Sequence, residues 1–78
     1  MQLFVNTSYH DAGGTHTRKV GFASSDVDYF TETSQTDVTL VVLKTGSTFY
    51  VQLTPKDFYD TMRLAERQDR YYYKNVNN

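Results

Sequence analysis

Between Asp37 and Met62 the pattern of apolar positions predicts a strand, a tight turn, a second strand and a helix with no slack between them. In DVTLVVL, Val38, Leu40 and Val42 fall on one face of an extended chain, and Thr39, Val41 and Leu43 fall on the other. A strand apolar on both faces is usually central in a sheet or covered on both sides. In TFYVQL, Phe49, Val51 and Leu53 share one face, while Thr48, Tyr50 and Gln52 share a wetter one. Lys44-Thr45-Gly46 between them predicts a hairpin with a type I turn, closed by a glycine in the left-handed region as a G1 bulge. The period then becomes helical. Thr54 is a good N-cap, Pro55 suits the first helical position, and Asp57 lies near the positive end of the helix dipole. Phe58, Met62 and Ala65 make one apolar stripe, which Tyr59 widens. Arg63, Glu66 and Arg67 fall on the solvated side; Leu64 lies off the stripe, exposed or against another subunit. The predicted helix runs from Pro55 to about Gln68.

The N-terminal part reads as strands. Met1 to Thr7 predicts a short one, Ser8 to Thr15 a loop or hairpin tip around Asp11 and Gly13-Gly14, and Thr17 to Phe22 a second strand. Ala23 to Asp26 is a break with turn or one-turn helix chemistry, and Val27 to Thr33 predicts a third strand. The expected fold is α+β: an antiparallel β-meander of four to five strands followed by one C-terminal helix packed on the sheet. Residues 1–68 form the expected domain, and residues 69–78 a tyrosine-rich polar tail. The consecutive Tyr71, Tyr72 and Tyr73 cannot all be buried by one helix or strand. The sequence leaves open whether the sheet is open or closes into a small barrel.

At 78 residues the chain buries a limited core, and with no cysteine it has no disulfide or thiolate metal site to compensate. Self-association is the remaining stabiliser, so a homo-oligomer is expected. Two histidines are too few for a closed zinc site without carboxylate help, and no cofactor is expected. The net charge of -1 supplies no field for a nucleic-acid polymer or an acidic membrane. No apolar run resembles a signal peptide or membrane span, so a cytoplasmic location is expected. The seven tyrosines suit contact surfaces, since tyrosine buries area at low entropy cost, although they also favour strands.

Three segments carry candidate chemistry. His10-Asp11 and His16 flank the diglycine, where a carboxylate could orient an imidazole, but no nucleophile with an identifiable base accompanies them. Catalysis is therefore not expected. Gly13, Gly14, His16, Arg18 and Lys19 have the composition of an anion-holding loop, without matching an established phosphate motif; the competing reading is a plain hairpin turn with solvated cations. Arg63 and Arg67 share a helix face, and with Arg70, Lys74 and the tyrosines they make a basic-aromatic segment diluted by Asp60, Glu66 and Asp69.

The feature order VDYFTET, SQTD, VTLVVL, KTGS, TFYVQL and PKDFYDTM, within residues 27–62, resembles the small FlbD/SwrD-type flagellar regulatory proteins. The N-terminal hairpin and the tyrosine tail depart from that pattern. The resemblance implies a small regulatory protein that is no enzyme, and it carries over no functional residue. The expected function is regulation or inhibition by binding a partner protein, the format also of accessory proteins that phages encode. Tyr50, Tyr59, Tyr71, Tyr72 and Tyr73 are its expected contact residues. The alternative is an oligomeric binder that sequesters a phosphate-bearing small ligand such as a nucleotide, using Gly13, Gly14, His16, Arg18, Lys19, Arg63 and Arg67.

Overall fold

The computed structural model describes the backbone of residues 2–76 and the side chains from Gln2 to Arg67. Five antiparallel strands form one sheet, β1 (Gln2–Asp11), β2 (Gly14–Ala23), β3 (Val27–Glu32), β4 (Thr39–Leu43) and β5 (Thr48–Val51), followed by helix α1 (Pro55–Val76). This is the expected α+β class. The order in space is β2-β1-β5-β4-β3, so the first hairpin joins the β3–β5 meander through β1 against β5. That junction is short: Thr7 pairs with Val51 and Ser8 with Tyr50.

Both hairpin turns follow from glycine. Gly46 has φ +93°, its N–H donates to the Leu43 carbonyl at 2.9 Å, and the Leu43 N–H donates to the Ser47 carbonyl at 2.8 Å. This is the expected type I turn with a G1 bulge. The first hairpin also has a glycine at positive φ, Gly14 at +112°, but closes on a shorter loop and is longer than the sequence suggested. Its strands run out to Asp11 and start again at Gly14, leaving a two-residue loop where residues 8–15 were expected to be irregular. Tyr9, Thr15 and Thr17 are β-formers, and register against the opposite strand extends the ladder through them.

The connection from β2 to β3 bends the sheet. Only Ser24–Asp26, one turn of 3-10 helix, separate them, yet the two strands are opposite edges. In a flat five-stranded sheet those edges would stand about 19 Å apart, four strand spacings. A 3-10 turn of that length advances only about 8 Å. The sheet therefore curls into a half-barrel; the Lys44 N–H donates to the Asp26 carbonyl at 2.8 Å, extending the β3–β4 ladder into the turn.

The helix fills the mouth of this curl. The Thr54 hydroxyl accepts the Asp57 N–H at 3.1 Å, the expected cap, and directs Phe58 inward. The Phe58 ring is fully buried, with centroids 6.3 Å from Phe22 on β2 and 5.2 Å from Phe30 on β3. Leu3, Val5, Val41, Val51 and Ala65 complete the core. Two threonines are buried with them, each with its hydroxyl satisfied: Thr7 donates to the Arg18 carbonyl at 3.1 Å and Thr39 to the Leu53 carbonyl at 2.8 Å.

One expectation needs correction. The helix does not stop near Gln68; its backbone continues to Val76. Residues 68–76 hold no glycine or proline, and an established helix propagates one hydrogen bond per residue even without an apolar stripe. Strand β4 is interior to the sheet, between β5 and β3, as its two apolar faces implied, and α1 covers only the face of Thr39 and Val41.

Phe58→Ala should cost about 3–5 kcal/mol, a large part of the stability of a domain this small. Leu64→Ala, at a position 57% exposed, should cost under about 0.5 kcal/mol. Urea unfolding followed by circular dichroism measures both; equal losses would contradict this core. Thr39→Val should cost about 1–2 kcal/mol on the same assay, because it leaves the Leu53 carbonyl unpartnered.

Candidate functional site

The candidate residues divide among three surfaces. The first is the inner side of the β1–β2 hairpin beyond the core. Cross-strand pairing sets Tyr9 opposite His16 and Thr7 opposite Arg18, so Tyr9, His16 and Arg18 continue the face that carries Leu3 and Val5. The Tyr9 ring lies 5.3 Å from His16 and has the Arg18 guanidinium 5.0 Å from its centroid, a cation–π contact. The Asp11 carboxylate accepts the Gly13 N–H at 2.7 Å and meets His16 Nε2 at 2.8 Å. An imidazole oriented by a carboxylate is thus present, at an exposed hairpin tip. Thr15 is hydrogen-bonded to His10 Nδ1 at 2.9 Å on the opposite face, so its hydroxyl is not served by His16.

The anion-holding segment does not assemble as the sequence suggested. Lys19 neighbours Arg18 on a strand and so points to the other face of the sheet. Asp11 occupies the Gly13 N–H and sits on His16, placing a carboxylate where an anion would bind.

The second surface is on α1. Tyr59, Met62, Arg63, Glu66 and Arg67 line a shallow groove made of helix residues alone. Arg63 Nη1 donates to the Tyr59 hydroxyl at 3.2 Å, and this bond raises the Arg63 pKa above its ordinary value, keeping it cationic. Tyr59 leans on Phe30, with centroids 6.5 Å apart. Arg63 and Arg67 thus share a groove with each other and with none of the hairpin residues. The side chains of Tyr71, Tyr72 and Tyr73 lie outside the described residues.

The third surface, the outer face of the sheet, was not recognised as a unit from sequence. The register sets Leu40 beside Tyr50 and Val42 beside Tyr29, all facing away from α1. Tyr29 is 55% and Tyr50 51% exposed, and Leu40 and Val42 are half-buried. Ser8, Thr31 and Thr48 surround them. Phe4, further along this face, lays its ring over Gly21, where an added Cβ would come within 2.6 Å of it. Lys19 is the one formally charged side chain that strand alternation places on this face. The signal was present in β4, whose second apolar face has no cover among the described residues. Tyr50 belongs here, whereas Tyr59 belongs to the helix groove, so the expected tyrosine contact set is divided.

Comparison with protein-family models, curated proteins and solved structures returns no match. The segment that resembles the FlbD/SwrD-type pattern forms β3, β4, β5 and the first turns of α1. Among the described residues no helix is long and apolar enough to cross a membrane.

With Asp11 on His16 and Lys19 turned away, pyrophosphate added in 0.15 M salt should shift the amide resonances of Gly13 and Gly14 weakly and without saturation. A saturable shift that weakens as salt rises, and is lost in Arg18→Ala, would instead mark a phosphate site.

Proposed function

We propose that this protein is a small regulatory or inhibitory protein, not an enzyme, and that it acts by occupying a partner protein with the outer face of its sheet. One observation carries the reading. The interior strand β4 is apolar on both faces, and the face bearing Leu40 and Val42, flanked by Tyr29 and Tyr50, has no cover among the described residues. Apolar and tyrosine-rich area with charge depleted at its centre is the composition of an interface core. Tyrosine contributes buried area and a hydroxyl for the rim at small entropic cost. The matching partner presents a flat, uncharged surface of its own, with hydrogen-bonding groups around it.

A phosphate-bearing ligand has less support. Arg18 is stacked on Tyr9, Lys19 faces the other way, and Arg63 and Arg67 share their groove with Glu66.

A photo-crosslinking residue at position 50, compared with one at position 64, tests the reading in cells that make the protein. Position 50 should give one dominant protein adduct and position 64 none. With that partner purified, Tyr29→Lys/Tyr50→Lys should weaken binding by about a hundredfold or more, the loss expected for two central contact residues. Raising salt to 1 M should change wild-type binding by less than about threefold. Equal adducts at both positions, or binding that collapses with salt, would refute it.

A further inference from the structure

The two free edges of the sheet carry opposite charge. Edge strand β2, GTHTRKVGFA, holds Arg18 and Lys19 and no acidic residue. Edge strand β3, VDYFTE, holds Asp28 and Glu32 and no basic residue, and Asp26 immediately precedes it. All four strand charges are exposed, and none forms an ion pair with another described residue. Each edge also offers a row of backbone N–H and C=O groups that the sheet leaves unpaired.

Within one chain these edges do not zip together. The curl brings them toward each other, but Phe58 stands between Phe22 of one and Phe30 of the other and fills the gap. Their charges also decide what can pair between chains. Two β2 edges would set cations against cations, and two β3 edges carboxylates against carboxylates, arrangements that cost free energy across a ladder. A β2 edge against a β3 edge brings opposite signs together, with Arg18 on the same face as Glu32, and satisfies both rows of backbone groups.

We propose that the protein self-associates head to tail, with β2 of one copy adding to β3 of the next, into a closed assembly of discrete order. Closure follows from the curl. In a flat sheet the two edges point in opposite directions and copies would extend as a filament. Here the edges converge on one three-residue turn, so each added copy turns sharply relative to the last. This surface is separate from the outer face assigned to a partner, which stays accessible, repeated once per copy. The assembly also supplies burial that a chain of this length lacks.

Native mass spectrometry of the full chain at about 50 μM, far above the dissociation constant of a stable assembly, tests this. The wild type should appear at a single multiple of 9.0 kDa. Arg18→Glu/Lys19→Glu makes both edges acidic and should be monomeric; Asp28→Lys/Glu32→Lys makes both basic and should be monomeric too. Mixing the two variants should restore a mixed assembly, since each edge then meets its opposite. That rescue separates lost pairing from lost folding. A monomeric wild type, a variant that keeps the wild-type multiple, or a mixture that stays monomeric would overturn head-to-tail pairing; an open ladder of multiples would overturn closure.

Discussion

The packing of Phe58 between Phe22 and Phe30 is the contact on which the rest of the structure depends. A sheet whose edge strands are joined by three residues has to curl, and a curled sheet needs something in its mouth. Phe58 is large enough to fill it, and rings from both edges close on it within 6.3 Å. The Thr54 cap and Pro55 set where the helix starts, and so which residue reaches inward. With the mouth filled, the half-barrel cannot seal itself. The outward-facing edges of β2 and β3 are left without a neighbouring strand, and those edges carry opposite charge.

The same one-sided helix leaves the outer face of the sheet uncovered among the described residues. A single helix cannot cover both sides of a sheet, and this chain's one helix is committed to the concave side by Phe58 and Ala65. Strand β4 is nevertheless apolar on both faces. The convex patch of Tyr29, Leu40, Val42 and Tyr50 is what remains, and formal charge is concentrated at the turns, the edges and the helix. A bare apolar face, two edges of opposite charge and a filled core then occupy separate parts of a chain of 78 residues.

The hairpin tip shows how residues that look like a site can be structural. Gly13 and Gly14 with nearby cations resemble an anion cradle when read in line. In space Asp11 takes the Gly13 N–H and His16, Tyr9 takes the Arg18 guanidinium, and alternation sends Lys19 away. The diglycine serves the turn, where Gly14 at φ +112° adopts a conformation that side chains disfavour.

Local order determined much of this protein. The Lys44-Thr45-Gly46 turn, the Thr54–Asp57 helix start, the stripe of Phe58, Met62 and Ala65, and the α+β class were all legible because each depends on residues a few positions apart. The pairing of β1 with β5, the curl, the extension of α1 to Val76 and the grouping of Tyr29 with Tyr50 were decided only by tertiary structure. Those features join distant segments, or, for the helix end, propagate from an element already held by its packing. Pattern along a chain records which face of a strand is apolar; which strand lies beside it, and what covers that face, depends on how the whole sheet closes.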